Sequence, residues 1–306
     1  MLKIKYSSIA CVLFSIIILL FLTNSEKVSM LIYEGIVFSL KTIVPSVFPF
    51  LVLSDLLIGT GAPMKLSKAL SPLFCKLRIN PYILPPLCLG IICGFPIGAI
   101  YTRDLNKKGK ITKKEADVLL PMCSYASPAF VISAVGTNML HSKKAGMIMW
   151  VCSIAVCISV GLIMMPRSIS NRTDLPEYNS NDKYVFSVSL LESMQNGTKT
   201  IISVGAVITF FYMLCGMCRC IMSELGAGML YQAILCAVLE IGSGCRVGSQ
   251  LSQMGVVISA FSIGFCGLCV FFQVKNAAHE SADMRIYLLI KSVCGIMSAL
   301  FLYIIL

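Results

Sequence analysis

Charged residues are scarce in this chain. They make up only 13% of its 306 residues, whereas hydrophobic residues make up 57% and the mean hydropathy is +0.87. A soluble globular protein carries about a quarter of its residues as charged side chains. Long apolar runs instead indicate helices that cross a lipid bilayer. The composition therefore predicts an all-α polytopic membrane protein in which no stretch is long enough to form a soluble domain.

Catalytic motifs are missing as well. The two histidines, His141 and His279, stand beside charged residues in predicted loops. None of the patterns GxSxG, HExxH or GxxxxGK[ST] occurs, so nothing marks a nucleophile, a zinc ion or a bound phosphate. Most of the 15 cysteines stand singly inside apolar runs, where cysteine behaves as a small hydrophobe. The sequence therefore predicts no enzyme, no cofactor, no metal site and no disulfide framework.

The net charge of +11 comes from basic residues that cluster in short loops between apolar spans. This distribution is typical of the signals that orient a protein in a membrane, and it does not resemble a nucleic-acid-binding surface. The sequence therefore predicts that the protein contacts membrane lipid and does not bind nucleic acid. Whether the chain forms a homo-oligomer stays open.

The apolar segments are divided into two sets by one long polar stretch. This stretch, residues 167–186, has the Pro, Asn, Ser and charge content of a linker. Before the first set, residues 1–27 are predicted to form a membrane anchor; a cleaved signal peptide is the alternative, but Phe21 and Leu22 make a poor cleavage site. Residues 28–166 and 187–306 then form two repeats. The apolar segments lie at about 8–22, 31–60, 82–101, 118–140, 146–166, 187–222, 228–249, 254–274 and 286–306.

The two sets resemble each other. SLKTIV at residues 39–44 recurs as GTKTII at 197–202, and the glycine-spaced segment LGIICGFPIGA at 89–99 matches LEIGSGCRVGS at 239–249 without a gap. In a third element, SYASPAFV at 124–131 lies opposite SIGFCGLC at 262–269, and both copies carry helix-breaking residues. Unwound backbone at bilayer depth is tolerated only where it is buried in protein or lines a polar cavity. We therefore expect a duplicated membrane protein with its site where the repeats meet.

Basic residues flank the first glycine-spaced segment on both sides. Lysines and arginines occur within residues 65–78 before it and within residues 103–114 after it. A full crossing would leave one cluster outside the cell, against the positive-inside rule, whereas a re-entrant hairpin that turns near Gly94–Pro96 keeps both inside. With that hairpin the two halves have opposite orientations, as in the inverted repeats of secondary transporters. Lys143 and Lys144 are the exception, because this arrangement places them outside.

The motifs CGFPIGA at 93–99, RDLNKKGKITKKEAD at 103–117, CSYASPAFVISAVGT at 123–137 and GFCGLCVFFQV at 264–274 carry a family resemblance. With PSVFPFLVLSDLL at 45–57, they resemble the sporulation integral membrane protein YlbJ family, which belongs to the nucleoside-recognition or gate superfamily. The resemblance covers nearly the whole chain outside the first helix and the linker. It implies a multi-pass cytoplasmic-membrane protein of an endospore-forming bacterium, with a gate-type, transporter-like fold and a part in spore formation. Cys93 and Phe95 are a departure from the family pattern. Small or tyrosine side chains would fit these two hairpin positions equally well, so no role is assigned to either residue.

The hairpin tips are the first candidates for binding a solute. Helix N-termini at such breaks favour anionic groups, and freed carbonyls favour cations. The alternative is that the glycines only let helices pack closely. Glu240 and Arg246 are charges inside the second hairpin, which are functional in many membrane proteins; they also have the simpler interpretation of snorkelling or of pairing with each other. The candidates here are Gly94, Pro96, Gly98, Glu240, Ser243, Gly244, Arg246 and Gly248.

Neutral polar side chains in the third elements complete the predicted site. Ser124, Ser127, Asn138 and Gln273 suit hydrogen bonding to a polar solute, although each could equally bond a neighbouring helix. Asp55 is the candidate for a coupling ion, Na⁺ or H⁺, unless it lies at a membrane boundary. The function that the sequence favours is transport of a small polar solute, nucleoside-like or another metabolite, during spore formation. The alternative is a non-transporting assembly factor of the spore envelope that binds a partner or a lipid-linked precursor.

Overall fold

The computed structural model describes residues 11–12, 14–15, 18–19, 21–167 and 186–305, and all of the regular structure in these ranges is helical. The all-α class predicted from composition is therefore confirmed. The predicted anchor, residues 1–27, and the predicted linker, residues 167–186, lie largely outside the described residues.

Five helical stretches of the described chain are long and apolar enough to cross a bilayer. Their surfaces carry large exposed hydrophobic side chains, such as Ile163 and Ile304, both 80% exposed. Such surfaces are stable against lipid tails and unfavourable in water. The protein is therefore a multi-pass membrane protein. The five stretches are Ser25–Gly59, Lys143–Met164, Leu190–Glu224, Ser252–Ala278 and Met284–Ile305.

The elements follow a similar order in both halves: a long helix, two short helices around a turn, an interrupted helix and a final helix of 22 residues. The first half has in addition a 15-residue helix and a 3₁₀ turn between its long helix and its short pair. The first half contains α1 (Ser25–Phe38), a π-helical turn (Ser39–Ile43), α2 (Val44–Gly59), α3 (Ala62–Lys76), a 3₁₀ turn (Pro81–Ile83), α4 (Leu84–Cys93), α5 (Ile97–Lys107), α6 (Lys113–Met122), a π helix (Ala129–Met139) and α7 (Lys143–Met164). The second half contains α8 (Phe186–Glu224), α9 (Met229–Leu239), α10 (Ile241–Gly248), α11 (Ser252–Phe265), α12 (Gly267–Ala278) and α13 (Met284–Ile305).

Helices α4 and α5 form a hairpin that turns where the sequence predicts. Gly94, between them, has a φ of +79°, a conformation that glycine adopts without steric cost. Gly90 and Gly98 lie one turn before and one turn after it, and both face the same backbone oxygen: a Cβ at either position would lie 2.0 or 2.4 Å from the carbonyl oxygen of Cys123. The chain therefore reverses between α4 and α5.

The two ends of this hairpin lie together. The Asn80 side chain, just before α4, donates a hydrogen bond of 3.0 Å to the carbonyl oxygen of Lys110, just after α5. The loops that carry the two basic clusters are therefore at one end of the protein, which we call the basic end. The same end holds the end of α7, because Arg167 donates to the carbonyl oxygen of Leu77. It also holds the end of α12, because Arg103 donates to the carbonyl oxygen of Ala277.

The second hairpin turns at Glu240, two residues before the glycines that the sequence places at its tip. Glu240 is in an extended conformation, with α9 before it and α10 after it. A Cβ on Gly244 would lie 2.4 Å from the Cα of Ala237, so α9 and α10 pack side by side. The carboxylate of Glu240 caps α10 by accepting hydrogen bonds from the backbone N–H groups of Gly242 and Ser243. The tip is therefore a charged cap, and the glycines belong to the first turn of a helix.

The third elements are interrupted helices whose pieces follow one another along the chain. Helix α6 ends at Met122, and five residues pass before Pro128 and the π helix. In the second half, Cys266 separates α11 from α12, and both Cys266 and Gly267, the first residue of α12, have a φ of +72°. Each interruption leaves backbone groups without helical partners.

The long helices of the two halves pack antiparallel. Gly35 of α1 lies against Thr209 of α8, and the next turn of the first half, at Ser39, lies against Gly205. At the other end of the pair, Asn196 donates a hydrogen bond to Asp55 of α2. Residue numbers therefore rise along α1 and α2 as they fall along α8, so α8 begins at the end of the protein where α2 finishes.

Candidate functional site

The four interruptions of the two halves meet in the interior. The Phe95 N–H, at the first hairpin turn, donates a 2.9 Å hydrogen bond to the carbonyl oxygen of Tyr125, in the break after α6. The thiol of Cys266 donates to the carbonyl oxygen of Ser124 in that same break, at 3.7 Å. Gly267 packs against the turn at Glu240, because its Cβ would lie 3.3 Å from the Glu240 Cα. Unwound backbone from all four elements is therefore in one continuous cluster.

A cavity lies beside this cluster, and we call it the middle cavity. Its empty volume is about 440 Å³ including its mouth. Its walls are mostly apolar, with Ser127 and Gln273 as polar members. The Gln273 side chain donates to the thiol of Cys269 at 3.3 Å, and its carbonyl oxygen is buried without a hydrogen-bond partner. The lining residues are Ile43, Val47, Cys93, Phe95, Ala126, Ser127, Phe130, Val204, Ile208, Ile241, Cys269, Val270 and Gln273.

A larger and more polar cavity lies toward the start of α1, and we call it the outer vestibule. Its empty volume is about 870 Å³, and three cationic and two acidic side chains line it: Lys27, Arg219, Arg246, Glu34 and Glu224. The Arg246 guanidinium lies over the ring of Tyr212, with its Cζ 4.6 Å from the ring centroid. The Tyr212 hydroxyl in turn donates a 3.2 Å hydrogen bond to Glu34.

One polar group of the outer vestibule, the Nε of Arg219, is buried without a hydrogen-bond partner. Neither Arg219 nor Arg246 has a carboxylate within 4 Å, since Arg103–Asp104 is the one such ion pair within the described part of the chain. Buried polar groups are normally hydrogen-bonded, and an exception at a cavity wall marks capacity for a ligand.

A third cavity lies toward the basic end, and we call it the inner vestibule. Its empty volume is about 790 Å³, and it is lined by residues of α2, α5 and α8. Asp55 lies here, where its carboxylate accepts the 3.2 Å hydrogen bond from Asn196. Lys199 and Thr200 complete the polar lining.

The three cavities form a row along the antiparallel pair of long helices. From α1 to α2, Glu34 lines the outer vestibule, Ile43 the middle cavity and Asp55 the inner vestibule. Along α8, followed backward from its end, the same three cavities are lined in turn by Tyr212, Ile208 and Asn196. Glu34 and Asp55 are about 30 Å apart along a continuous helix. That distance is about the thickness of the hydrocarbon core of a bilayer.

A layer of aromatic side chains separates the outer vestibule from the middle cavity. The rings of Phe38 and Tyr212 are stacked, with their centroids 5.8 Å apart. The Phe38 ring also presses on α10, because a Cβ on Gly242 would lie 2.6 Å from the tip of the ring. On the other side, a single helical turn, from Val47 to Leu51, separates the wall of the middle cavity from that of the inner vestibule. Side chains therefore lie between the middle cavity and each of its two neighbours.

The predicted site residues are thus divided among several places. Ser127 and Gln273 line the middle cavity, with Gly94 and Pro96 at the adjoining turn; Ser243 and Arg246 line the outer vestibule and Asp55 lines the inner one. Gly98, Gly244 and Gly248 are at tight helix contacts, with Cys123, Ala237 and Ile258 respectively. The Ser124 hydroxyl donates back to the carbonyl oxygen of Leu120 in α6. Asn138 is exposed near the far end of the π helix, away from the cavities.

Glu240 and Arg246 are not an ion pair. Glu240 is fully buried and is engaged by the N–H groups of α10, whereas Arg246 faces the outer vestibule. The position where an N-terminal turn of α10 would bind an anionic group is therefore already filled by the protein's own carboxylate.

Five charged residues escaped the sequence interpretation. Lys291 of α13 is buried beside the broken helices. The other four line the outer vestibule: Lys27, Glu34, Arg219 and Glu224. The available signal was a single charge within an apolar run, as in YLLIKSVCG at residues 287–295. That signal also fits a side chain that reaches the membrane surface, so only the tertiary packing shows that a charged residue faces a cavity or is buried in protein.

Replacing Glu240 with glutamine is expected to destabilise the protein by about 1–2 kcal/mol, because one amide oxygen replaces two acceptor oxygens and the amide NH₂ then faces a backbone N–H group. Thermal unfolding of the detergent-purified protein measures this loss. Glu192→Gln, at an exposed position of α8, is the matched control. Equal unfolding temperatures for the two variants would contradict the capping role.

Comparison with known proteins agrees with the motifs of the sequence. The chain is 23% identical over 303 aligned residues to the sporulation integral membrane protein YlbJ of Bacillus subtilis (strain 168), and the alignment covers 85% of this chain and 73% of that protein. No family model matches the chain. No solved structure matches it. The resemblance predicted from the motifs is thus confirmed: the chain is an integral membrane protein that is similar to the sporulation protein YlbJ.

Proposed function

We propose that this protein moves a small polar solute across the cytoplasmic membrane of a spore-forming cell. The observation that carries the proposal is the row of three cavities along α1, α2 and α8, with the broken helices beside the middle one. Discontinuous helices around a central site are the usual construction of secondary transporters. The part in spore formation rests on the name of the B. subtilis relative.

The middle cavity, with a layer of side chains on either side, fits a transporter between its two open states. In such a state the solute is reached from neither side, and alternating access opens one barrier at a time. Phe38 and Tyr212 form the outer barrier, and the turn from Val47 to Leu51 forms the inner one. The hairpin of α9 and α10 packs on the outer barrier through Gly242, so movement of this hairpin would open it.

We also propose that the two halves are inverted repeats of a gate-type fold. Three features support this arrangement: the common order of elements, the antiparallel packing of α1 and α2 against α8, and the presence of both basic loops at one end. The positive-inside rule then assigns the basic end to the cytoplasm and the outer vestibule to the opposite side.

The charges of the outer vestibule favour a solute with an acidic group. Arg219 and Arg246 have no carboxylate partners, and cationic side chains outnumber acidic ones on its walls. Guanidinium groups bind carboxylates and phosphates through two parallel hydrogen bonds. A polar solute that carries such an oxyanion would satisfy the buried Nε of Arg219 on entry.

Replacing Arg246 with alanine is expected to abolish solute binding without lowering the folded, membrane-inserted level. Binding is measured as thermal stabilisation of the purified protein by a panel of nucleosides, nucleotides, amino acids, sugars and wall precursors, each with and without sodium. A ligand at a hundred times its dissociation constant adds about 2.7 kcal/mol. Arg285→Ala, at an exposed position at the start of α13, is the matched control and is expected to retain binding.

Proteoliposomes distinguish transport from binding. A solute that stabilises the protein should accumulate inside vesicles that contain it, and the Arg246→Ala variant should not accumulate it. Binding without uptake, or no stabilisation by any member of the panel, would favour the alternative of a non-transporting assembly factor of the spore envelope.

A further inference from the structure

Lys291 is a buried cation at the junction of the two interrupted helices. It lies on α13, a stretch apolar enough to cross the bilayer, and only 1% of its surface is exposed. Its ammonium group donates a 2.5 Å hydrogen bond to the carbonyl oxygen of Ser124, in the break after α6. It also lies 5.3 Å from the centroid of the Tyr125 ring. The same carbonyl oxygen accepts from Cys266, in the break of the second half.

No carboxylate neutralises this charge. Within the ranges that the structure describes, no acidic oxygen lies within 4 Å of Lys291. The titratable groups that face it from the surrounding elements are all thiols and phenols: Cys123 of α6, Tyr125 of the break, Cys157 of α7, Cys266 between α11 and α12, and Tyr287 and Cys294 of α13. An unpaired charge at this depth costs several kcal/mol and is retained chiefly where it has a task.

The Lys291 ammonium group lies where the binding groups would suit a free cation. Carbonyl oxygens freed at the break of a discontinuous helix are the usual ligands of the coupling Na⁺ in secondary transporters. Here the Ser124 carbonyl oxygen is occupied by an ammonium group tethered to α13. A lysine differs from a metal ion in one respect that matters, because it can lose its charge by releasing a proton.

We propose that Lys291 is the proton-coupling site of this protein and that it takes the place of a sodium ion. The inference deepens the proposed transport function and rests on it. When the two interrupted helices separate, the ammonium group loses the Ser124 oxygen and the Tyr125 ring. One N–H bond of the ammonium then breaks, its electron pair stays on the nitrogen, and the proton passes to water that enters the opening. Closure reverses the step with a proton from water on either side.

A pH jump applied to reconstituted protein tests this step without a solute. Proteoliposomes are adsorbed on a solid-supported membrane, and the pH of the bathing solution is changed in sodium-free choline buffer. The unmodified protein is expected to give a transient charge displacement. Lys291→Arg should reduce it to the level of protein-free liposomes, because arginine keeps the charge and the donor but does not release a proton. Lys275→Arg, at an exposed position of α12, is the matched control and should give the full displacement.

Two results would overturn the proposal. One is a full charge displacement in Lys291→Arg, and the other is the absence of a charge displacement in the unmodified protein. A jump in sodium concentration at constant pH supplies a measurement that needs no Lys291 variant. A sodium-evoked displacement that is lost in Asp55→Asn would assign the coupling ion to the inner vestibule instead. If Lys291→Arg folds poorly, Lys291→Met and this sodium jump decide the question.

Failure of the coupling site and failure of transport are distinguishable. Sodium-driven solute uptake that Lys291→Arg leaves unchanged would overturn the coupling role and leave transport standing. A Lys291-dependent displacement together with no uptake of any solute in the panel would retain the proton site and contradict transport.

Discussion

Replacing Gly90 with alanine is expected to prevent the chain from reaching its folded state. The added methyl group would lie 2.0 Å from the carbonyl oxygen of Cys123, 2.7 Å from its carbonyl carbon and 2.8 Å from its Cα. All three are backbone atoms, so no side chain can rotate away. The backbone that would have to move leads into the break at Ser124, where the interrupted helices meet. We expect a loss of at least about 3 kcal/mol, at the upper end of the range for overpacking.

Expression level, monodispersity in detergent and thermal unfolding of the Gly90→Ala variant measure this loss. Gly228→Ala is the matched control, because no atom lies within 4 Å of a Cβ at that position. If Gly90→Ala is as stable as Gly228→Ala, α4 and the break after α6 are not in the close contact described here. Gly98→Ala provides a second test, since it meets the same Cys123 oxygen at 2.4 Å.

The glycine spacing of the sequence predicts the hairpins but not what the glycines contact. Gly90 and Gly98 both face Cys123, which belongs to the next element of the chain. Periodicity within a segment carries no information about that partner. For the same reason the spacing misplaces the second turn: Gly242 and Gly244 look like a tip, whereas the carboxylate of Glu240 caps α10 and fixes the turn at its own position. A capping residue determines where a helix begins more strongly than the glycines that follow it.

The charge pattern predicts which loops lie at the same end of the protein better than it identifies the charges that line cavities. Basic residues around the first hairpin indicate that its two ends lie together, and the Asn80–Lys110 hydrogen bond agrees. Lysines and arginines inside apolar runs are ambiguous, because a long side chain near a helix end reaches the membrane surface. Arg219 lines a cavity and Lys291 is enclosed by protein. The difference between them depends on the packing of helices distant in sequence, so the sequence alone does not separate the two cases.

The barriers of the proposed path are likewise a product of tertiary packing. Phe38 and Tyr212 belong to different halves of the chain, and each lies in an apolar helix that contains other aromatic residues. They meet because α1 and α8 pack antiparallel with small residues at the contacts, such as Gly35 and Gly205. Small residues let helix backbones approach closely in a membrane. This close approach brings the two rings into register with Gly242 of the second hairpin.

Replacing Phe38 with alanine is expected to join the outer vestibule to the middle cavity. The change removes a stacked aromatic pair worth about 1 kcal/mol and a similar amount of packing on Gly242, so the open population of the barrier rises about 30-fold. Native cysteines report this opening. Cys220 lines the outer vestibule, whereas Cys269 is fully buried in the wall of the middle cavity. A water-soluble thiol reagent that does not cross membranes should therefore modify Cys269 about 30-fold faster in the variant.

The ratio of the two modification rates makes this test internally controlled. Cys220 lies on the outer side of the Phe38–Tyr212 pair and Cys269 lies beyond it, so reagent concentration and protein orientation affect both residues alike. Mass spectrometry of the labelled peptides gives the ratio, and it should rise in Phe38→Ala while the rate at Cys220 stays constant. Phe301→Ala, at a ring on α13 that is 48% exposed, should leave the ratio unchanged. If Cys269 already reacts as fast as Cys220 in the unmodified protein, the two rings do not close the path, and the outer barrier must be formed by other residues.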